Sequence, residues 1–115
     1  MLIDDLKEQL KQFEPDIETI VSFWNNNELE KKYQHLYTMS IQEDFWQNPK
    51  QTEILKELQQ IKNQREQYLY IIEAKSEIAD LIDLFAQDEA ELAKLHIDIA
   101  RLTKAVTNFK VALLL

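Results

Sequence analysis

The chain has 115 residues, with no cysteine, no glycine and a formal net charge of −8. Without cysteine the sequence excludes disulfides, thiolate nucleophiles and cysteine zinc sites. Without glycine it excludes phosphate-binding glycine loops, dinucleotide fingerprints and the nucleophile elbow, and it disfavours β-structure with tight turns. A hydrophobic content of 45% is enough for the core of one domain.

The net negative charge of the chain disfavours a broad nucleic-acid-binding surface, because a negative surface repels phosphate. The net charge does not exclude a local basic patch. Asp4 and Asp5 stand where a signal peptide would carry basic residues. The longest apolar run, residues 111–115, is far shorter than a membrane span. We therefore expect a soluble cytoplasmic protein with no membrane partner.

Apolar residues in the first part of the chain recur every three or four positions, as on one face of a helix. Pro15 lies on the polar side of this seam, where an interior proline costs about 3 kcal/mol. The pattern predicts one helix kinked near Phe13–Pro15, or two short collinear helices, ending in the asparagine run 25–27. The seam residues are Ile3, Leu6, Leu10, Phe13, Ile17, Ile20 and Trp24.

A second, shorter helix is predicted from about Glu28 to Ser40, and the segment 44–49, Asp-Phe-Trp-Gln-Asn-Pro, then opens a third. Asn48 is a suitable N-cap, Pro49 suits the first helical position, and Gln51 is placed to close a capping box. The rings of residues 45 and 46 are expected to pack where the chain enters this helix.

The third predicted helix runs from Pro49 to about Phe85, a length of about 55 Å that indicates an elongated molecule. Arg65 and Lys75 interrupt its seam, and we expect their stems to lie on apolar surface while their charges reach water. The seam residues are Ile54, Leu58, Ile61, Tyr68, Ile72, Ile78, Leu81, Ile82 and Phe85.

A break is predicted at Gln87–Asp88, where Asp88 can cap the last helix and Glu91 can complete a capping box. The alternative is one unbroken helix of more than about 60 residues, because the apolar phase is preserved across this segment, and it would need a partner chain. The last seam is Leu92, Leu95, Ile99, Leu102, Val106, Phe109 and Leu113.

No residue pattern indicates catalysis, a cofactor or a metal, so no catalytic, cofactor-binding or metal-binding residue is predicted. His35 and His96 lack the Glu-x-x-His spacing of di-iron bundles and are expected to be ordinary surface or seam-edge residues. The many carboxylates are spread along polar faces, as on a solvated surface. Large aromatic residues are either core anchors or interface hot spots, and the core is the expectation for Trp24, Phe109 and Trp46.

Two other segments have more than one interpretation. The first half of the third helix has a loose basic character, which indicates an exposed face or else contact with an acidic protein or RNA. Its basic residues are Lys50, Lys56, Lys62 and Arg65. The apolar end, residues 111–115, indicates that the native chain continues or that this end packs away.

The segment 44–49, placed between a short helix and a long one, resembles the N-terminal helical domain of bacterial peptide chain release factor 2. Members of that family commonly have an Asp-Phe-Trp-x-Asp/Asn run opening their long helix, and the Phe-Trp pair distinguishes them from release factor 1. The acidic break at residues 88–89 before a Leu-rich helix is also similar. Glu43, where family members often have proline, and Pro15 depart from the pattern.

The resemblance implies a fragment of a release factor that acts on the ribosome at UGA and UAA codons. This domain would be an interaction arm toward the stalk-base proteins. The family's Gly-Gly-Gln and Ser-Pro-Phe motifs are absent, so the chain alone would neither hydrolyse peptidyl-tRNA nor read codons, and no functional residue is carried over. The alternative is a coiled-coil adaptor or self-assembling helical scaffold; an enzyme is the least favoured reading.

The expected fold is all-α, an elongated antiparallel helical bundle in a single domain, residues 1–115. The third and last helices would form a long hairpin, with the first packed along it and the second short. The seams of such helices cross at about 20°. Because these seams can close within one chain, we expect a monomer.

Overall fold

A computed structural model describes every residue from Met1 to Leu115 and contains five α-helices, one 3-10 helix and no strand. The predicted all-α fold is confirmed. The helices are α1 (Leu2–Lys11), α2 (Glu14–Asn26), α3 (Leu29–Ser40), α4 (Gln51–Leu84) and α5 (Glu89–Leu113), and the 3-10 helix is Phe45–Gln47. None of these helices is both long and apolar enough to cross a bilayer.

The contacts of the chain group its residues into two compact units. Unit 1 consists of Met1–Ile20 and Gln67–Leu115, and unit 2 is Val21–Glu66. In unit 1, α1 packs against α5. Two ion pairs join further helices of this unit, one between Lys7 and Asp83 and one between Lys110 and Asp16.

The region around Pro15 forms two helices rather than one kinked helix. The amide of Phe13 donates to the carbonyl of Leu10, a tighter three-residue turn that ends α1. Pro15 is then the second residue of α2, within the first turn, where its missing amide breaks no helical bond. Proline therefore marks a helix start here, and the seam continues across the junction.

The asparagine run ends α2 as predicted, but an asparagine does not adopt the left-handed conformation. That conformation belongs to Glu28, with φ 50° and ψ 40°, the only residue of the chain with positive φ. The amide of the Asn27 side chain donates to the carbonyl of Phe23 at 2.8 Å instead. The backbone amide of Asn27 donates to the same carbonyl at 3.2 Å, so Asn27 makes two hydrogen bonds to the last turn of α2. Helix α3 begins after Glu28 without a side-chain cap.

The break between the last two helices is confirmed, and the single unbroken helix is excluded. Helix α4 ends at Leu84 and α5 starts at Glu89. The carboxylate of Asp88 accepts from the amide of Glu91 at 3.1 Å, as an N-cap does. The reciprocal half of the box does not form, because the amide of Asp88 donates to Phe85 and the Glu91 carboxylate pairs with Lys94.

The buried residues follow the predicted seams with two corrections. In α4 it is Ile71 that is fully buried, whereas Ile72 is half-buried. In α5 burial ends at Phe109: Leu113 is half-buried and Leu114 is exposed, so the apolar end of the chain does not pack away. The core comprises Leu6, Leu10, Ile17, Ile20, Trp24, Leu36, Phe45, Ile54, Ile61, Tyr68, Ile71, Ile78, Ile82, Leu92, Leu95, Ile99, Leu102, Val106 and Phe109.

Candidate interaction surface

The segment that opens α4 places its two aromatic rings in opposite environments. Phe45 is 3% exposed, whereas Trp46 is 69% exposed, so the prediction that Trp46 lies in the core is wrong. Both residues belong to the 3-10 helix, in which successive side chains point about 120° apart, and adjacent residues therefore cannot both face inward. The two rings still touch edge to face, with centroids 5.4 Å apart. Phe45 thereby supports an indole that faces solvent.

Asn48 holds this segment against the start of α4. Its side-chain oxygen accepts from the amide of Lys50 at 2.8 Å, and its carbonyl accepts from Gln51 at 3.1 Å. Asn48 thus caps the turn that leads into the helix, as an N-cap does, but α4 begins at Gln51, two residues after the predicted start at Pro49. The capping box with Gln51 does not form, since the amide of Asn48 donates to the carbonyl of Phe45 at 2.9 Å. This bond ties the cap to the 3-10 helix that carries Trp46.

A polar cluster joins α3 to α4 within unit 2. The Nε of Arg65 donates to both carboxylate oxygens of Glu30, at 2.9 and 2.8 Å. The guanidinium also lies over the ring of Tyr33, with 4.6 Å between Cζ and the ring centroid. The hydrogen bond from Arg65 lowers the pKa of Glu30, and the bond to Glu30 raises the pKa of Arg65. Arg65, which interrupts the apolar seam of α4, therefore joins α4 to α3 through its contacts with Glu30 and Tyr33.

Next to this cluster, α3 and α4 form an aromatic groove of about 270 Å³. Its α3 wall contains Tyr33 and Tyr37, whose stacked rings are 6.1 Å apart. Its α4 wall contains Leu55 and Lys62, and both are exposed. Tyrosine and exposed leucine beside a lysine form the kind of mixed surface that protein partners use.

The two units differ in charge. Unit 1 has fourteen acidic and seven basic residues, a formal net charge of −7, whereas unit 2 has seven acidic and six basic residues, a net charge of −1. The basic residues of early α4 therefore belong to a unit that is nearly neutral as a whole. Lys50, Lys56 and Lys62 are exposed, whereas Arg65 forms an ion pair with Glu30.

The two histidines lie apart from these features. His35 and His96 are both exposed. No group of three or more His, Asp or Glu side chains is arranged to hold a metal ion.

The sequence pattern did not predict the Glu30–Arg65–Tyr33 cluster. Glu30 and Tyr33, three residues apart, share one helix face, but nothing local to the sequence indicates Arg65, 35 positions from Glu30, as their partner.

Comparisons with protein-family models, with curated proteins and with solved structures give no match to this chain.

Proposed function

We propose that this chain is the N-terminal helical domain of a bacterial type 2 peptide chain release factor, with a non-catalytic role as an interaction arm. The observation that carries the proposal is the segment 44–49. Its Asp-Phe-Trp run ends five positions before the start of the 34-residue helix α4, and Asn48 caps the turn that leads into that helix. The capped acidic turn at Asp88 and the Leu-rich α5 agree with the remainder of the same plan.

In this role the chain acts in the cytoplasm, during termination at UGA and UAA codons. Codon reading and peptidyl-tRNA hydrolysis belong to other parts of the factor. The partners of this domain are proteins of the ribosomal stalk base, and the domain is a monomer. The net charge of −7 on unit 1 supports protein partners over ribosomal RNA, because a negative surface repels phosphate.

The coding frame after Leu115 gives the first test. We expect it to continue into a region that encodes Ser-Pro-Phe and Gly-Gly-Gln motifs. A stop codon directly after Leu115, confirmed in the genomic sequence and in the mass of the native protein, would remove the main support for the proposal.

Binding to ribosomes gives the second test. We expect the 115-residue chain to co-sediment with bacterial ribosomes and to lose this binding when the stalk-base proteins are stripped from them. Trp46→Ala should weaken binding, because an exposed tryptophan held by a buried neighbour is a typical interface hot spot. The matched control is Tyr70→Ala, which removes an exposed ring in unit 1. Equal binding to intact and stripped ribosomes would contradict a stalk-base role.

A self-assembling helical scaffold is the second candidate, and two exposed side chains favour it. Leu84 is 73% exposed and Ile97 is 62% exposed, and both could be covered by another copy of the chain. Sedimentation equilibrium separates the two candidates: the release-factor proposal expects 13.7 kDa over a wide concentration range, and the scaffold expects a higher mass.

A further inference from the structure

Unit 1 contains a groove between α1 and α4 with an unusual lining. The groove has a volume of about 460 Å³, within the range of small-molecule sites. Its apolar lining includes Leu10, Ala79 and Ile82, two of which are buried. Three of the seven basic residues of this acidic unit, Lys7, Lys11 and Lys75, line the same groove.

Lys75 is the most informative of these lysines. It occupies a seam position of α4 where an aliphatic side chain would continue the apolar stripe, and it is half-buried. Its neighbours one turn away on α4 are isoleucine and alanine, so no carboxylate of that helix reaches it. No ion pair to Lys75 forms in the structure, although the chain has 21 acidic residues. A half-buried, unpaired cation above an apolar floor favours an anionic occupant.

A weak ion pair joins two of the residues that line the groove, one on α1 and one on α4. Lys7 Nζ lies 3.8 Å from the Asp83 carboxylate, with both side chains more than half exposed. An ion pair of this kind contributes little and is easily exchanged for another anion. Lys11 is exposed and has no ion pair within the chain. All three ammonium groups can therefore turn toward one carboxylate at small cost.

The carboxylates of the groove define the size and charge of its occupant. Glu14 and Asp83 also line it, so the lining has three positive and two negative groups. The lining therefore has a net charge of +1, which suits an occupant with a single negative charge. The net charge of −7 on unit 1 disfavours nucleic acid and polyphosphates. The α4 wall extends over about two helical turns, from residue 75 to 83, or about 12 Å along the helix axis. The facing wall runs from Lys7 and Lys11 of α1 to Glu14 at the start of α2.

From this lining we propose that the groove binds a small amphiphilic carboxylate, a compound with one carboxylate on a short aliphatic chain. The aliphatic part lies on Leu10, Ala79 and Ile82, and the carboxylate accepts hydrogen bonds from Lys75 and Lys11. Charge-assisted hydrogen bonds give the selectivity for the anion, and burial of the aliphatic chain gives most of the affinity.

The test is a titration of the ¹⁵N-labelled full chain with octanoate below its micelle-forming concentration, followed by NMR. We expect saturable shifts of the amides of Leu10, Ala79 and Ile82. Octanol, which has the same chain length and no charge, should bind at least about tenfold more weakly, the effect of one charge-assisted interaction. Equal affinity for the two compounds, or shifts spread over both units, would overturn the proposal.

Substitutions test whether Lys75 and Lys11 bind the carboxylate. Lys75→Gln and Lys11→Gln should each weaken octanoate binding by about tenfold and leave octanol binding unchanged. Lys11 is exposed, so its variant should fold even if the Lys75 variant does not. Lys56→Gln in unit 2 is the matched control and should bind octanoate like the parent. Binding of an acidic amphipathic peptide without binding of octanoate would replace the small carboxylate by a protein partner.

Discussion

Adjacent aromatic residues at the start of α4 have opposite roles, and substitutions separate them. Phe45→Ala removes a buried ring and should lower the free energy of unfolding by about 3–5 kcal/mol, because it leaves a cavity in the core. Trp46→Ala removes an exposed ring and should change it by less than about 0.5 kcal/mol. Urea unfolding monitored by circular dichroism measures both. A loss of several kcal/mol for Trp46→Ala would mean that the indole is buried.

The ion pair between Glu30 and Arg65 predicts a small, pH-dependent contribution to stability. Glu30→Gln removes a charge-assisted bond, but the side chain of Glu30 is 47% exposed, so the loss at pH 7 should stay below about 1 kcal/mol. Because Arg65 lowers the pKa of Glu30 in the folded chain, the unfolded chain binds the proton more tightly. The stabilisation is therefore complete at neutral pH and is lost as the pH falls through that lowered pKa.

Thermal unfolding of the parent chain and of Glu30→Gln between pH 7 and pH 2 measures this contribution. The two curves should converge at the acid end, below the ordinary glutamate pKa of 4.5. Glu53→Gln, at an exposed position of α4 without an ion pair, is the matched control and should show no such convergence. A difference for Glu30→Gln that stays constant down to pH 2 would show that the lost contacts are not those of the charge.

At the scale of whole helices, the three-four spacing of apolar residues predicted the helical segments, and the capping signals at Asp88 predicted the break between the last two helices. The division of the first segment at Pro15 was one of two alternatives that the spacing left open. The spacing predicts burial because an apolar stripe on one helix face is buried when that face turns toward the core. Residues of the stripes such as Leu6, Ile99 and Leu102 accordingly lie in the core. The same spacing could not decide between Ile71 and Ile72. They follow Tyr68 by three and four positions, so both border its apolar stripe, and neighbouring helices determine which of them is fully buried.

The candidate interaction surface was less predictable from the sequence, for two physical reasons. Phe45 and Trp46 lie in a 3-10 turn, and short 3-10 turns have no distinctive sequence pattern that would indicate which of the two rings faces the core. The Arg65–Glu30 pair joins two helices and depends on how α3 lies against α4. Its residues could be recognised only as charges that interrupt or border an apolar face.

The N-cap of α5 gives a prediction at this scale. Asp88→Ala removes the oxygen that accepts from Glu91 and should lower the free energy of unfolding by about 1 kcal/mol. Asp88→Asn keeps an acceptor oxygen and should recover most of that loss, apart from the weaker interaction of a neutral group with the helix dipole. Chemical denaturation of the three chains provides the comparison. If both substitutions cost the same, the charge and not the hydrogen bond stabilises the helix start.

The dominant electrostatic feature of the whole molecule is its net charge of −8. Most of this charge, −7, belongs to unit 1. Like charges concentrated in one compact unit oppose folding, and salt screens them. The melting temperature should therefore rise by a few degrees between about 20 mM and about 300 mM sodium chloride. The ion pairs of the chain are mostly exposed and weak, so their loss in salt should not reverse this trend.

A double substitution tests the origin of that salt dependence. Glu77 and Asp80 are exposed, lie in the last part of α4 and form no ion pair. Carboxylates near a helix C-terminus are also opposed by the helix dipole. Glu77→Gln with Asp80→Asn should raise the melting temperature at low salt and flatten its rise with salt. The matched pair in unit 2, Glu53→Gln with Glu57→Gln, should have a smaller effect, because that unit is nearly neutral. Equal effects in the two units would indicate that repulsion is spread evenly over the chain.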